Sequence, residues 1–243
     1  MSNVFYTPGE QRAEKVNDLF AAIARRYDLL NDLQSFGLHR HWKRRVAELA
    51  AVEPGQRALD LCCGTGDIAF ALARRGAAVI GLDFSAAMLD VAESRNTIPD
   101  PKTGARNPTF IREDAQETPF PDGTFDAVSV GYGLRNLASW EKGLEEMRRV
   151  AKPGGRLVVL DFGKPANDLW RKIYFGHLRH IVPFIGQLFC GNADAYAYIL
   201  ESLEHYPAQE GVAEKMRELK LVNVRVINLL GGAMAINYGE KPK

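Results

Sequence analysis

The chain of 243 residues is 46% hydrophobic and 25% charged, which is typical of one domain with a substantial core. Its 31 basic and 30 acidic side chains leave a formal net charge of +1, which argues against binding to nucleic acid. No apolar run is as long as a membrane span, and the start, MSNVFYTPGEQRAEK, lacks a secretory h-region. With an odd number of cysteines and no disulfide framework, the sequence predicts a cytoplasmic protein.

Residues 1 to 50 have helical patterns, and we expect them to form a cap attached to the core. From residue 57 onward, short β-branched runs alternate with helical patterns. Strands are predicted at RALDL, AAVIGLD, PTFIRED, FDAVSV and RLVVLDF, and helices at DIAFALARRG, SAAMLDVAESR and SWEKGLEEMRRV, the last ending at KPGG. This alternation implies right-handed crossovers and a mainly parallel sheet with helices on both faces. The predicted fold class is α/β, doubly wound.

The last two strand-like runs, VNVRVINLL and AMAINYGEK, have only Gly231 and Gly232 between them. A connection this short excludes a helical crossover, so the two runs must pair as an antiparallel hairpin, which completes a seven-stranded sheet. Residues 163 to 207 interrupt the alternation and are rich in aromatics. We expect them to be a substrate lid inserted into a single domain of residues 1–243.

The stretch LDLCCGTGD, residues 59–67, lies where the first strand turns into the first helix. Gly64 and Gly66 would let a ligand approach the backbone and the helix N-terminus closely. GTGDIA also matches a weak dinucleotide fingerprint. We expect Asp60 inside the turn, where it would repel a pyrophosphate and attract an ammonium group. This charge favours S-adenosylmethionine over a dinucleotide.

Two further acids follow the next strands of the predicted sheet. Asp83 closes the second strand, where a carboxylate can accept both ribose hydroxyls, and Asp114 closes the third, where it can accept from an adenine amino group. Each acid alone could equally cap a helix or turn. Together with the glycine loop they favour a cofactor site, and the chain has neither Tyr-x-x-x-Lys nor a nucleoside triphosphate loop.

The cysteines do not predict a metal site. Cys62 and Cys63 are neighbours at a strand end and should point to opposite faces, so small buried thiols are favoured over ligands. His177 and His180, three residues apart, could meet Cys190, but a third helical ligand is missing. We therefore predict no bound metal.

Six stretches now carry a family resemblance. They are RYDLLNDLQSFGLHRHWK at 26–43, LDLCCGTGD at 59–67, GLDFS at 81–85, EDAQETPFPDGTFD at 113–126, YGLRN at 132–136 and AKPGGRLVVLDFGKP at 151–165. The sequence resembles the class I S-adenosylmethionine methyltransferases, and more narrowly the quinone-biosynthesis C-methyltransferases. The glycine loop and PFPDGTFD are shared by many methyltransferases, whereas YD-x-x-ND and YGLRN are much more specific to the quinone enzymes.

The resemblance implies S-adenosyl-L-methionine as cofactor, with contacts from Thr65, Asp83, Asp114, Ala115 and residue 131. With the loop residues and the residue after Asp83, the predicted cofactor-binding set is Asp60, Gly64, Thr65, Gly66, Asp83, Phe84, Asp114, Ala115 and Gly131. The chain departs from the family pattern at two places. Cys62 and Cys63 replace small residues, and Gly131 stands where serine is frequent, which would remove one side-chain hydrogen bond.

Methylation of a quinol carbon needs an electron-rich ring, which a quinol gains when a hydroxyl loses its proton. Arg135 follows the fourth strand, and its guanidinium could stabilise the developing oxyanion; a surface or capping salt bridge is the alternative. Tyr132 and Asn136 could orient the ring or be structural. His177 is a candidate proton acceptor. The predicted catalytic residues are Arg135, His177 and Tyr132.

The expected reaction is methylation of demethylmenaquinol to menaquinol. The same chemistry on the benzoquinol precursor of ubiquinone, and a cofactor-binding regulator without turnover, are the alternatives. The segment WRKIYFGHLRHIVPFIGQLF, residues 170–189, suits a polyprenyl tail, although a helix pair that completes the core fits as well. The basic run HRHWKRR at 39–45 predicts a solvated helix face that meets phospholipid head groups at the inner membrane surface. The sequence sets no oligomeric state.

Overall fold

A computed structural model describes residues 12–96, 107–190 and 194–243. Within them, seven strands form one sheet in the order β3-β2-β1-β4-β5-β7-β6. The strands are β1 Arg57–Leu61, β2 Ala78–Asp83, β3 Thr109–Arg112, β4 Phe125–Gly131, β5 Ala151–Phe162, β6 Val222–Leu229 and β7 Met234–Glu240. Strands β1 to β5 pair in parallel, and β7 is antiparallel to both β5 and β6. The predicted α/β fold and its C-terminal hairpin are confirmed.

The helices between the strands supply the layers that bury the sheet. They are α4 Asp67–Ala73, α5 Ala86–Arg95, α6 Trp140–Val150 and α10 Ala208–Glu218. The central strands β1 and β4 are buried almost throughout, because parallel strands covered on both faces bury successive side chains. Between β1 and β4 the strand order reverses, which is where ligands bind in open α/β sheets.

Two predicted boundaries were wrong by a few residues. Strand β3 ends at Arg112, so Asp114 belongs to the loop that follows and not to the strand end. Strand β5 begins at Ala151, directly after α6, so the KPGG stretch lies inside the strand and not between the helix and the strand. The glycines there let the chain change direction within the strand, since Gly154 has a φ of +77°.

The described part of the predicted N-terminal cap is helical. It comprises α1 Arg12–Ile23, α2 Tyr27–Ser35 and α3 Leu38–Ala50, and residues 1–11 of the predicted cap lie outside the described residues. Helices α2 and α3 are separated at Phe36 and Gly37, which both have positive φ. Helix α3 packs on α4 and β5 and so fixes the cap to the sheet.

The predicted lid is also helical in its described residues. Helix α7 Asp168–Gly176 continues through a π-helical turn, His177–Ile181, into α8 Val182–Cys190, and α9 Asp194–His205 follows. π-helical turns interrupt α-helices frequently at functional sites. Among the described residues, no helix combines the length and apolar character that crossing a bilayer requires.

Candidate active site

The loop after β1 turns sharply into α4. Cys62, Gly64 and Gly66 all have positive φ, of 50°, 54° and 86°. A Cβ atom on Gly66 would lie 2.8 Å from the ring of Phe110 and 2.9 Å from that of Phe70, so glycine is required there on two grounds. The loop thus brings its backbone to the carboxyl end of the sheet.

A cavity of about 750 Å³ opens beside this loop, between the strand ends and α1. Six predicted cofactor-binding residues line it: Gly64, Asp83, Phe84, Asp114, Ala115 and Gly131. The sequence interpretation missed other parts of the lining, namely Asn17 and Phe20 from α1, Met88 from α5, and Cys62, which was predicted to be only a buried thiol. The combination of two carboxylates with aromatic and aliphatic side chains in the lining suits a nucleoside-like ligand.

Asp83 anchors the glycine loop from the end of β2. One carboxylate oxygen accepts the Gly64 N–H at 2.7 Å and the other accepts the Ser85 N–H at 2.8 Å. Burial raises the pKa of Asp83, and these N–H bonds oppose the rise. Each oxygen retains a further lone pair, so the carboxylate can still accept hydroxyl groups from a ligand in the cavity.

Asp114 lies at the exposed rim of the same cavity. One of its carboxylate oxygens accepts the Gln116 N–H at 2.8 Å, which fixes the loop after β3. Ala115 beside it is buried. An acid at the rim next to a small apolar residue can accept from an exocyclic amino group whose ring rests on the apolar side.

Asp60 was predicted to lie in the turn, but it lies within β1 and is 1% exposed. It lines a smaller cavity of about 300 Å³, which shares Cys62, Gly64 and Gly131 with the main one. Its Oδ1 accepts the Ser129 hydroxyl at 2.7 Å, and its Oδ2 is buried without a hydrogen bond of normal geometry. Burial raises the pKa of Asp60 to about 7 although the Ser129 hydroxyl favours the carboxylate. A buried acid of this kind fits a ligand ammonium group.

Thr65 and Gly66 do not line the main cavity. The Thr65 hydroxyl donates to Oδ1 of Asp28 at 2.9 Å and so links the loop to helix α2, although Thr65 lines the smaller cavity. Gly66 packs beneath the rings of Phe70 and Phe110 at the start of α4. Both residues therefore shape the loop.

An ion-pair network that the sequence interpretation missed ties the cap to this loop. Lys43 Nζ lies 2.7 Å from Asp67 Oδ2, and Arg95 donates to Asp67 Oδ1 at 2.6 Å and to the Thr65 carbonyl at 2.7 Å. Burial alone would lower the pKa of Lys43, but Asp67 and Tyr27 raise it overall. Burial alone would raise the pKa of Asp67, but Lys43 and Arg95 lower it to about 2. Lys43 is therefore a charged residue in the site.

The basic run at 39–45 is only partly the solvated face that was predicted. His39, Trp42 and Lys43 are buried, whereas Arg40 and Arg44 are exposed. His39 Nε2 lies 2.8 Å from Asp32 Oδ1, and Arg40 binds the same carboxylate. The prediction of a solvated face holds for the side of α3 that carries Arg40 and Arg44, and it was wrong for the other side, which packs on the sheet domain.

Tyr132 follows β4 and has a φ of +63°, which is unusual for a bulky residue. Its carbonyl accepts from Arg135 Nη1 at 2.7 Å and from Asn136 Nδ2 at 3.0 Å, and its N–H donates to Leu160 at 2.7 Å. These three bonds hold the strained backbone. Tyr132 lines the main cavity, the smaller one and a third cavity.

Arg135 is buried, which excludes a surface salt bridge, whereas the other predicted alternative, a capping salt bridge, agrees with its bonds to Asp161 and to the Tyr132 carbonyl. Its Nη1 lies 2.6 Å from Oδ1 of Asp161, and its guanidinium carbon lies 4.6 Å from the ring centre of Phe162. Burial alone would lower the pKa of Arg135, but Asp161 raises it, so the group stays charged. Arg135 lines the third cavity and not the main one.

The third cavity has about 470 Å³ of open space and is mainly aromatic and aliphatic. It shares Phe20, Tyr27 and Tyr132 with the main cavity, so the two adjoin at these residues. Its other apolar lining comprises Leu19, Ile23, Phe162, Tyr198 and Ile199. A cavity that carries the acids Asp83 and Asp114 thus meets one lined largely by aromatic and aliphatic side chains beside the strained Tyr132.

His177 is not brought together with the other predicted residues. It is exposed on the π-helical turn, its pKa is lowered by burial of part of the ring, and it lines none of these three cavities. Its predicted role as proton acceptor has no support from this position. Among the described residues, no group of three His, Cys, Asp or Glu could hold a metal ion, and the side chain of Cys190 lies outside the description.

The family resemblance implies serine where this chain has Gly131, and a side chain at this position would meet the end of the Ile68 side chain. A Cβ atom there would lie 2.5 Å from Cδ1 of Ile68. Serine would therefore require Ile68 to move, and in this chain the backbone itself lines the cavity.

The sheet order, the glycine loop and the acids at the strand ends define a class I S-adenosylmethionine-dependent methyltransferase. Phosphoethanolamine N-methyltransferase 2 of Haemonchus contortus, solved with S-adenosyl-L-methionine, shares the fold with a TM-score of 0.58 at 18% identity, over 82% of this chain and 51% of that one. The likeness at this identity shows the fold alone.

The sequence comparisons give the family. The ubiE/COQ5 methyltransferase family model matches residues 9–241. The ubiquinone/menaquinone biosynthesis C-methyltransferase UbiE of Cellvibrio japonicus is 41% identical over 238 residues, which cover 97% of this chain and 94% of the relative. That of Ectopseudomonas mendocina is 41% identical over 240 residues, which cover 97% and 92%. The chain belongs to the ubiE/COQ5 methyltransferase family and is an S-adenosylmethionine-dependent C-methyltransferase; its curated relatives serve quinone biosynthesis.

Proposed function

We propose that the protein transfers a methyl group from S-adenosylmethionine to a ring carbon of demethylmenaquinol, which gives menaquinol in the last step of menaquinone biosynthesis. The observation that carries the proposal is the junction, at Phe20, Tyr27 and Tyr132, of the cavity that carries Asp83 and Asp114 with the aromatic cavity that carries Arg135. The names of the curated relatives cover both ubiquinone and menaquinone, so the choice of ring is part of the proposal.

In this proposal the cofactor occupies the main cavity and its smaller neighbour. Asp83 accepts the ribose hydroxyls, Asp114 accepts from the adenine amino group, and Phe84 and Ala115 contact the base. Asp60 lies where a buried carboxylate without a second hydrogen bond can receive the ammonium group. Gly64 and Gly131 contribute backbone, while Thr65 and Gly66 hold the loop.

S-adenosylmethionine, when bound, supplies an electrophilic methyl group on its sulfonium. The protein must hold the quinol carbon in line with that methyl group and favour loss of a hydroxyl proton. Arg135 lines the aromatic cavity and is fixed by Asp161, Tyr132 and the Phe162 ring. The positive charge of Arg135 is paired with the Asp161 carboxylate. We propose that the guanidinium also stabilises the negative charge that grows on the quinol oxygen. Tyr132 orients the ring.

The character of the third cavity favours the naphthoquinol over the benzoquinol. The fused second ring of a naphthoquinol is apolar and fits against Phe20, Phe162 and Ile23. The benzoquinol precursor carries a methoxy group in place of that ring and would leave apolar surface uncovered. Methylation of the benzoquinol is the second candidate, since the relatives' names include it.

The test is a competition between the two quinols. The purified protein is given labelled S-adenosylmethionine with equal amounts of reduced demethylmenaquinol and reduced benzoquinol precursor, and the products are separated by mass. Menaquinol should form faster. Faster methylation of the benzoquinol would overturn the choice of ring, and cofactor binding without methylation of either quinol would favour a regulator.

We further propose that residues 163–207 act as a substrate lid and residues 1–50 as a cap on one domain, at the inner face of the cytoplasmic membrane. The helices α7 and α8 and the π-helical turn between them expose Leu169, Ile173, Ile181, Phe184 and Leu188, each at least 48% accessible. Exposed apolar side chains of this kind suit a polyprenyl tail and a peripheral bilayer contact. Flotation with anionic vesicles, compared for the parent and Phe184→Ser, tests this contact.

A further inference from the structure

Two carboxamide nitrogens on helix α2 are buried and make no hydrogen bond of normal geometry. They are Nδ2 of Asn31 and Nε2 of Gln34, and both residues line the third cavity. Residues three apart lie on one face of a helix, so both amides are presented to the same space. A buried N–H without a partner is destabilising, which makes these two groups exceptions that need an explanation.

The charged group of this cavity, the Arg135 guanidinium, is held by hydrogen bonds to the protein. Arg135 Nη1 donates to Asp161 and to the Tyr132 carbonyl. Asn31 lies close enough to Tyr27 to lower the pKa of that phenol, against the larger effect of burial, but its Nδ2 makes no hydrogen bond of normal geometry. Gln34 therefore has the greater unmet capacity of the two amides.

The ligand that this cavity would take is a ring that is apolar on its faces and polar at its two ends. A 1,4-quinol has that form: each hydroxyl oxygen accepts from an N–H, and each hydroxyl also donates to an oxygen. The two oxygens stand apart by a distance close to the roughly 5–6 Å between Cβ atoms one helical turn apart. A carboxamide suits either end because it carries both a donor and an acceptor.

We propose that Asn31 and Gln34 bind the oxygens of the quinol ring and so position the carbon that is methylated. This inference rests on the proposed function for the identity of the ring, but the placement holds for either quinol. Both residues act in substrate recognition, while charge stabilisation stays with Arg135.

Near-isosteric variants test the proposal. Gln34→Met and Asn31→Leu keep the volume and remove the amide. Each should raise KM for reduced demethylmenaquinol about tenfold, as expected for one lost hydrogen bond, while kcat stays within about threefold. Affinity for S-adenosylhomocysteine, measured by calorimetry, should stay within about twofold. Leu33→Met, at a 38% exposed position on the same helix, is the matched control and should change neither value.

Thermal unfolding separates recognition from a structural role. Because the two amide nitrogens make no hydrogen bond of normal geometry, replacing the amides by apolar groups of similar shape should leave the melting temperature unchanged or raise it. A raised KM with an unchanged or higher melting temperature supports the proposal. A KM within twofold of the parent in both variants overturns it, and so does a rise in KM that only accompanies a lowered melting temperature.

Binding of small aromatic probes tests the roles of Asn31 and Gln34 separately from the choice between the two quinols. Binding of 1,4-dihydroxynaphthalene and of 1-naphthol, both under reducing conditions and with S-adenosylhomocysteine present, compares a ring with two hydroxyls and a ring with one. The parent should prefer the diol, and Gln34→Met with Asn31→Leu should lose the preference. If the parent methylates only the benzoquinol, the proposed naphthoquinol substrate is wrong, and KM of the parent and of both variants is then measured with the benzoquinol. Equal binding of both probes by the parent overturns the inference alone.

Discussion

Arg135 and Asp161 form a buried ion pair beside the junction of the two cavities, with Nη1 and Oδ1 2.6 Å apart and both side chains no more than 5% exposed. The Asp161 carboxylate also accepts the backbone N–H of Arg135 and of Phe162, so it fixes the turn after β4 to the end of β5. The pair therefore has a structural task in addition to the proposed chemical one.

Removal of Arg135 should affect both tasks. Arg135→Lys keeps a charge but loses the planar fork, and we expect turnover to fall about ten- to a hundredfold. Arg135→Ala should lose about a thousandfold in kcat, by analogy with loss of an oxyanion donor, and about 3–5 kcal/mol of stability, because Asp161 is left as an unpaired buried charge. Single-turnover kinetics and urea unfolding measure the two effects.

The double variant Arg135→Ala/Asp161→Ala separates the tasks. It removes the unpaired charge and should recover part of the lost stability without recovering turnover. Cofactor affinity in the folded variants should stay within about threefold of the parent. Turnover near the parent rate in Arg135→Ala would assign charge stabilisation to another group.

Asp83 should matter for cofactor affinity. Asp83→Ala removes a carboxylate proposed to hold two ribose hydroxyls and also releases the Gly64 N–H. We expect S-adenosylhomocysteine to bind more than tenfold weaker, since a hydrogen bond to a charged group contributes roughly 1.5–3 kcal/mol. Asp126→Ala, at the opposite end of the sheet where its partner is Lys152, is the control. Calorimetry that gave equal dissociation constants for parent and Asp83→Ala would remove Asp83 from the site.

The sequence was sufficient to predict the sheet and to place two acids at the carboxyl ends of its strands. Alternating strands and helices follow from local patterns, and parallel strands place their carboxyl ends together, so Asp83 and Asp114 could be assigned to one site. Asp60 was misplaced by a small distance along the chain because strand ends are the least certain boundary. That difference matters chemically, since it moves Asp60 from a turn into a buried strand.

The sequence contains a pattern that indicates which face of α3 is buried, but the sequence interpretation did not use it. His39, Trp42, Lys43, Val46, Ala47 and Ala50 recur at helical spacing and are the buried face of α3. Lys43 stands on that apolar stripe, which marks it as paired and not solvated. The partner on α4, and the side of the π-helical turn on which His177 lies, depend on tertiary packing and could not be derived from local sequence.

Lys43 should stabilise the contact between the cap and the glycine loop. The pKa of Asp67 is lowered from 3.8 to about 2, so its contribution to stability is present above pH 3.8 and is lost as pH falls towards 2. Lys43→Met leaves Asp67 with Arg95 alone, and we expect a loss of about 1–3 kcal/mol at pH 7 and a smaller loss of stability on acidification. Urea unfolding at pH 7 and at pH values between 3.8 and about 2 measures both.

The control for Lys43 is Arg45→Met. Arg45 pairs with Glu48 on the exposed side of the same helix, where an ion pair contributes little. Equal effects of Lys43→Met and Arg45→Met would show that the buried pair adds no particular stability.

The oxidation state of the ring should decide whether methylation occurs. A quinone carbonyl withdraws the electron density that the ring carbon must donate, so oxidised demethylmenaquinone should be inert in the absence of a reductant. Methylated product is measured by mass under anaerobic conditions with and without dithionite. Equal rates in both conditions would contradict the phenolate mechanism.

Asp60 should make cofactor affinity depend on pH. The pKa of Asp60 in the protein without ligand is raised from 3.8 to about 7. Between these two pH values the folded protein keeps the Asp60 proton, whereas the unfolded chain has lost it. The free energy of unfolding should therefore fall as pH rises from 3.8 to about 7. A bound ammonium group beside Oδ2 favours the carboxylate, so cofactor binding should release that proton. Affinity for S-adenosylhomocysteine should therefore rise with pH between about 5 and 7, by at most about tenfold per pH unit, and level off above pH 7 while the ligand amino group keeps its proton.

Calorimetry in two buffers of different ionisation enthalpy measures the affinity and the proton released. Asp60→Asn should bind more weakly at pH 7 with no dependence on pH across this range, whereas a pH dependence that persists in Asp60→Asn would assign the titration to another group.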